Sequence, residues 1–140
     1  MGVRVVIDTN VLVAALRSRH GASFQLLQRL GSGPFQPVVS SPLCLEYEDV
    51  LHRPGLVPGY AREDIEDFLD YVLAESIECQ VHFLWRPFLP DAKDDLVLEA
   101  AVAGGASFII TFNLKDFKGI GALGIQAVTP GNFFTNIIPL

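Results

Sequence analysis

The chain begins with a short apolar stretch, Val3-Arg4-Val5-Val6-Ile7-Asp8-Thr9-Asn10, which ends in an acid and two small polar residues. Runs rich in β-branched residues are typical of a strand that is covered on both faces, as in a parallel sheet. A second apolar segment, residues 11–16, follows at once, so the polar residues lie where a strand passes into a helix. Because ligands bind at the carboxyl ends of the strands in open α/β sheets, we expect Asp8 at the functional edge.

Strand-like and helix-like segments alternate through the rest of the chain. The predicted strands cover residues 3–7, 35–40, 77–83, 107–111 and 126–128. The predicted helices cover residues 10–17, 22–30, 42–51, 62–76 and 91–103, and a last turn or helix starts at 129. Thr9 or Asn10 is expected to cap the first helix, and Asp91 the fifth. This alternation predicts an α/β fold with a central parallel sheet and right-handed crossovers.

Length and composition predict a single globular domain over residues 1–140, since half of the residues are hydrophobic and 19% are charged. No apolar run approaches the roughly 18 residues of a membrane span. Cys44 and Cys79 are isolated, which is typical of two thiols in a reducing compartment. We therefore expect a cytoplasmic protein that does not enter the membrane.

The formal net charge of −6 argues on its face against a nucleic-acid ligand, because such binding is driven by neutralisation of phosphates. The distribution of the acids matters more than their sum. Five of them fall within residues 63–70 and are interpreted as one solvated helix face. A further set of acids is expected to form a metal site, where a bound cation would offset their charge.

Acidic residues lie at four predicted turns, namely Asp8 after the first strand, Glu46 one turn into the helix after the second strand, Asp94 and Asp95 in the first turn of a later helix, and Asp116 after the fourth strand. Each has a structural explanation when taken alone: the Asp94–Asp95 pair suits a helix dipole, and Asp116 suits an exposed turn. Together they are harder to explain, because two carboxylates about 4 Å apart repel by about 4 kcal/mol at an effective dielectric constant of 20. A site of oxygen ligands without Cys or His indicates Mg²⁺ or Mn²⁺ and suits phosphoryl chemistry.

Four segments resemble, in order, the motifs of the PIN-domain ribonucleases. They are Val6-Ile7-Asp8-Thr9-Asn10-Val11-Leu12, residues 40–51, residues 90–101 and residues 110–117. The stretch Leu51-His52-Arg53-Pro54 most resembles a subgroup of VapC-like toxin components of toxin–antitoxin systems. Four motifs in this order and spacing carry more weight than any one of them.

The resemblance implies a three-layer α/β/α sandwich, dependence on Mg²⁺ or Mn²⁺, and hydrolysis of single-stranded RNA. Carried over position by position, it makes Asp8, Glu46 and Asp95 the core metal-binding and catalytic carboxylates, with Asp116 as a fourth. It makes Thr9 and Asn113 substrate-binding residues that position water or phosphate. Asn113 stands where many relatives carry an acid, so the site has one charge fewer.

Two alternatives stay open at this point. One is a PIN-like module that binds RNA or protein without turnover. The other is a haloacid-dehalogenase-like phosphatase, which also begins with a strand, an aspartate and a threonine, but needs a second acid where this chain has Asn10.

The toxin resemblance also implies partners, namely an antitoxin protein and a second copy of the chain in a homodimer. Candidate surfaces are the Pro/Gly-rich loop 52–61, the acidic helix 62–76 and the apolar tail 133–140. The tail has an alternative role, which is to pack on its own domain.

Overall fold

A computed structural model describes residues 2–82 and 88–138 of the chain. At its centre lies a sheet of five strands in the order β3-β2-β1-β4-β5, and every neighbouring pair is parallel. The strands are β1 Val3–Ile7, β2 Phe35–Ser40, β3 Ile77–Cys79, β4 Phe108–Ile110 and β5 Gln126–Val128. The predicted α/β fold with a central parallel sheet is confirmed.

Helices cover both faces of the sheet and complete three α/β/α layers. They are α1 Thr9–Arg17, α2 Ala22–Gln28, α3 Ser41–Leu51, α4 Arg62–Ala74, α5 Ala92–Gly104 and the single turn α6 Pro130–Asn132, which continues as π-helical Phe133–Ile137. Two 3₁₀ turns, Leu114–Phe117 and Ile120–Leu123, connect β4 to β5. None of the helices in the described residues is long and apolar enough to cross a membrane.

The order of the strands explains where a ligand would bind. From β1 the chain continues to β2 on one side of the sheet and later to β4 on the other, so the order reverses between β1 and β4. Ile7 is in register with Ile110, and the backbone N–H of Asp8 donates to the Ile110 carbonyl at 2.9 Å. Open α/β sheets form a crevice at such a reversal, outside the carboxyl ends of the strands. Asp8 and Thr111, the residues that follow these two strand ends, therefore lie at that crevice.

The tail packs on its own domain. Phe133 is fully buried, and its ring meets Phe35 edge-on at a centroid distance of 5.5 Å and Phe108 at 6.0 Å. Phe134 is also buried. Such aromatic pairs contribute about 0.5–1.5 kcal/mol beyond the area that they bury. The apolar residues 133–134 of the tail are thus used inside the chain, and residues 139–140 lie outside the described part.

Several boundaries differ from the prediction. The cap of α1 is Asp8 and not Thr9 or Asn10, because the Asp8 side chain accepts the backbone N–H of Thr9 and the helix begins one residue earlier. Asp91 caps α5 as expected, through the N–H of Lys93. The helices α2 and α4 each end two residues early, and β3 ends at residue 79. Phe83 and residues 85–87 of the predicted connector lie outside the described residues.

Candidate active site

Asp8 is held at the end of β1 as a buried carboxylate with only 7% of its surface exposed. Its Oδ1 accepts the backbone N–H of Thr9 at 2.8 Å. Its Oδ2 accepts the hydroxyl of Thr111 at 2.8 Å and the side-chain amide of Asn10 at 3.3 Å. Three donors from two neighbouring strand ends therefore fix the carboxylate, as a buried charge requires.

Thr111 links this carboxylate to the next turn. It is fully buried, and besides donating to Asp8 its hydroxyl oxygen accepts the backbone N–H of Asn113 at 3.0 Å. The side-chain oxygen of Asn10 accepts the N–H of Phe112 at 3.4 Å, which ties α1 to the same turn. The β4 turn is thus positioned through side chains that converge on Asp8.

Tyr47 holds the end of β1 through a hydrogen bond to its backbone. Its ring is buried, and its hydroxyl donates to the carbonyl oxygen of Ile7, the residue before Asp8. Burial raises the pKa of Tyr47 far above its ordinary value, with a smaller effect from the negative charge of Asp8. Tyr47 therefore stays neutral and keeps its hydrogen bond at every physiological pH.

A cavity of about 350 Å³ opens in front of Asp8 at the carboxyl end of the sheet. The predicted site residues Thr9, Glu46 and Asn113 line it together with Asp8. Glu46 reaches it from α3, Asp94 from the first turn of α5, and Asn113 from the turn after β4. The acids of three separate sequence segments are brought to one cavity by the fold.

The aspartate pair on α5 divides between two roles. Asp94 is half-buried and lines the cavity. Asp95 is 1% exposed, and its Oδ1 accepts the backbone N–H of Leu89 at 2.9 Å. The structure therefore does not bring Asp95 to the cavity with the other predicted ligands. Successive helix residues point about 100° apart. The orientation of α5 therefore directs Asp94 to the cavity and Asp95 towards the segment that contains Leu89.

Electrostatics connects the acids that face the cavity. Burial raises the pKa of Asp8, while hydrogen bonds from Thr111 and Thr9 oppose the rise and the charges of Glu46 and Asp116 add to it. Burial also raises the pKa of Asp94 to about 6, with contributions from the charges of Asp8, Asp91, Asp116 and Asp95. Asp116 is not among the residues that line the cavity, but it acts on both carboxyls from the 3₁₀ turn.

In the described residues, no group of three His, Cys, Asp or Glu side chains is already arranged closely enough to hold a metal ion. The side chains that face the cavity nevertheless offer oxygen donors of the kind that Mg²⁺ and Mn²⁺ prefer. Burial, followed by the charges of neighbouring acids, raises the pKa of Asp8 and of Asp94 and so disfavours their ionised forms. A divalent cation would offset these negative charges, so the donor set fits such an ion.

The family model described as "PIN domain" matches residues 4–115, which span all of these turns up to Asn113. The chain belongs to the PIN domain family. Membership leaves no support for the phosphatase alternative, whose second acid is replaced by Asn10 in any case.

The fold of this PIN domain is similar to one in the crystal structure of VapBC2 from Rickettsia felis bound to a DNA fragment from their promoter. The TM-score is 0.62, the sequence identity is 18%, and the match covers 90% of this chain and 98% of the other. At this identity the likeness concerns the fold. A comparison with curated proteins finds no significant match.

Residues that sequence reasoning missed complete the site. The sequence predicts Thr111 only as the last residue of a strand, and Asn10 only as a helix cap or as a missing acid. Thr111 directly follows β4 as Asp8 directly follows β1, and a polar residue at that position on two apolar strands is a usable signal. Asp94 was named as one of two neighbours, and no signal in the sequence separates it from Asp95.

Proposed function

We propose that this PIN domain is a metal-dependent endoribonuclease that hydrolyses phosphodiesters of single-stranded RNA. The observation that carries the proposal is the cavity that Asp8, Glu46 and Asp94 line at the carboxyl end of a parallel sheet. The raised pKa values of Asp8 and Asp94 mean that their negative charges destabilise the folded chain, whereas the same charges would favour a bound cation. Family membership makes a nuclease the first hypothesis for such a cavity.

Asp8, Glu46 and Asp94 would hold a Mg²⁺ or Mn²⁺ ion, and Asp94 thereby replaces Asp95 in our assignment. Asp116 would support the ion through its charge. When bound, the ion supplies Lewis-acid catalysis: it lowers the pKa of water and offsets negative charge on the phosphate.

The chain's own residues orient the reacting groups. Thr111 and Asn10 donate to Oδ2 of Asp8 and keep that carboxylate in one rotamer. Thr9 and Asn113 present polar groups to the cavity and would donate to phosphate oxygens. The amide of Asn113 adds a donor without adding charge, which favours an anionic substrate over a further cation.

The test compares the two neighbouring aspartates. Single-stranded RNA is incubated with wild type, Asp94→Asn and Asp95→Asn, in Mn²⁺ and in chelator. We expect cleavage by wild type and by Asp95→Asn that disappears in chelator, and a loss of about 100-fold or more in Asp94→Asn, as for removal of one transition-state contact. Equal rates in all three proteins would indicate a contaminating nuclease. Tight RNA binding by wild type without cleavage would favour the non-catalytic binding module.

We also propose that the domain acts as a toxin with a protein antitoxin, on the basis of its likeness to a domain of VapBC2. A second cavity, of about 370 Å³, lies between α1, α2 and α4 and is mostly apolar. Its lining includes Leu16, Phe24, Leu27, Phe68 and Tyr71. The helix α4, which supplies Phe68 and Tyr71 to this cavity, also carries exposed acids, so an amphipathic helix with basic flanks is the partner that fits.

The partner proposal is tested with an amphipathic helical peptide that carries basic flanks. Phe24→Arg places a charge in the apolar groove and is expected to weaken the complex by about 10-fold or more. The control is Leu45→Arg, because Leu45 is 64% exposed and lines a different cavity. Equal weakening by both variants would contradict the groove. Light scattering of the isolated chain tests the proposed homodimer, which the buried residues 133–134 of the tail do not support.

A further inference from the structure

Two basic side chains line the same cavity as the acids. Arg53 lies just after α3, and Lys93 lies in the first turn of α5. Among the described residues that line the cavity, these are the two with a positive charge. A cavity whose whole role was to hold a cation would be weakened by them, because like charges repel the ion. Their presence therefore indicates a second, anionic ligand.

The position of Lys93 is unfavourable for the helix itself. A positive charge in the first turn opposes the helix dipole and costs about 0.3–1 kcal/mol. The backbone N–H of Lys93 is taken by the capping carboxylate of Asp91 at 2.9 Å, while its exposed side chain lies along the cavity. Departures from local preference of this kind occur at functional sites.

Arg53 is held only weakly in its present position. Its guanidinium donates to Asp49 at 2.9 Å, and the two side chains are 47% and 67% exposed. An exposed pair at this helical spacing contributes about 0.3–0.5 kcal/mol, so a phosphate can replace Asp49 at little cost. The planar guanidinium also binds phosphate with two parallel hydrogen bonds, which lysine cannot do.

We propose that Arg53 and Lys93 bind phosphates that neighbour the phosphodiester being cut. The inference rests on the proposed ribonuclease function and specifies its substrate: the site takes the interior of a single-stranded RNA chain and disfavours a dinucleotide, which has one phosphate. It also explains how a chain of net charge −6 binds a polyanion. Two of the ten Lys and Arg residues line the cavity in which the substrate would lie.

The experiment measures kcat and KM for a single-stranded RNA oligomer in Mn²⁺ at several salt concentrations. The proteins are wild type, Arg53→Ala, Lys93→Ala and the control Arg62→Ala. Arg62 forms a comparable exposed pair with Glu66 at 3.1 Å on α4 and does not line the cavity. We expect Arg53→Ala and Lys93→Ala each to raise KM by about 10-fold with kcat within about 2-fold. Each should make the negative slope of log affinity against log salt concentration shallower by about 0.7.

A dinucleotide substrate and an oligomer with uncharged methylphosphonates beside the cut site complete the test. Wild type and the two variants should cleave both substrates alike, because the contact is already absent. A KM for the unmodified oligomer that is unchanged in Arg53→Ala and Lys93→Ala, or equally raised in Arg62→Ala, would overturn the proposal.

A failure of the ribonuclease proposal would look different, because wild type would then cut nothing, or no faster than Asp94→Asn. In that case fluorescence anisotropy with a 2′-O-methyl RNA oligomer decides the matter. Weaker binding by Arg53→Ala and Lys93→Ala than by Arg62→Ala supports the phosphate contacts, and equal binding by all proteins refutes them.

Discussion

Replacement of Asp94 by asparagine should stabilise the metal-free protein at pH 8 while removing its activity. The pKa of Asp94 is raised to about 6 from its ordinary 3.8, first by burial and then by the charge of Asp8 and other acids. The gap corresponds to at most about 3 kcal/mol of destabilisation when the carboxyl is ionised. Because the side chain is partly exposed, solvent screening reduces this figure, and we expect a gain of about 1 kcal/mol.

The sign of the effect depends on pH. Asp94 has a higher pKa in the folded chain than in the unfolded chain, so the folded chain binds more protons between about pH 4 and pH 6. Its contribution therefore lowers stability progressively as the pH rises through that window and stays at its full cost above it. The advantage of Asp94→Asn should be present at pH 8 and absent near pH 4.

The measurement is urea unfolding of wild type, Asp94→Asn and Asp95→Asn, in chelator and in Mn²⁺. Asp95→Asn is the matched control: its side-chain oxygen can still accept the N–H of Leu89, but without a charge, so we expect a loss of about 1 kcal/mol. Mn²⁺ should reverse the order of wild type and Asp94→Asn, because ligands that bind the folded state stabilise it by mass action.

Two results would refute this reasoning. One is an Asp94→Asn protein that is no more stable than wild type at pH 8 in chelator. The other is an equal gain from Asp95→Asn, which would mean that the effect comes from net charge and not from the cavity.

Two further variants test the supports of the site. Thr111→Val keeps the shape of the side chain but removes the donor to Asp8 and the acceptor for the N–H of Asn113. We expect the free energy of unfolding to fall by about 2 kcal/mol and the cleavage activity to fall by about 10–100-fold. Unchanged activity would contradict the role of Thr111 in positioning Asp8. Gly104→Ala places a Cβ 2.8 Å from Val38 Cγ2 across the α5–β2 contact. Because this strain exceeds the gain in helix propensity, we expect thermal unfolding to show a free energy of unfolding that is lower by about 1–2 kcal/mol. A more stable Gly104→Ala protein would show that α5 shifts freely.

Much of the fold could be predicted because its signals are local. The β-branched residues of β1 indicate a strand. The sequence Ser40-Ser41-Pro42 indicates the start of α3, where the Ser40 side chain accepts the N–H of Leu43. The position of Asp8 followed from the same logic, since a charge after a buried strand must find partners.

The rest of the site depends on tertiary geometry. The choice between Asp94 and Asp95 follows from the rotation of α5 about its axis, which the packing of Gly104 on Val38 helps to set far from the site. Both the inward and the outward face of α5 include apolar residues, so the sequence pattern of this helix is only weakly amphipathic. The pattern therefore does not indicate whether Asp94 or Asp95 faces the cavity. The partners of Asp8 on β4 are likewise about 100 residues away in the chain and meet it only through sheet pairing.

The neutral donors explain how the cavity tolerates its acids before a cation binds. Thr111, Asn10 and the N–H of Thr9 all donate to Asp8, and each stabilises its ionised form. Burial nevertheless dominates, so the pKa of Asp8 stays raised. Asp94 receives less support and has the pKa of about 6. The two carboxyls thus differ in kind: Asp8 is fixed by the fold, whereas Asp94 stays open to solvent and is the one whose charge a bound cation would relieve most.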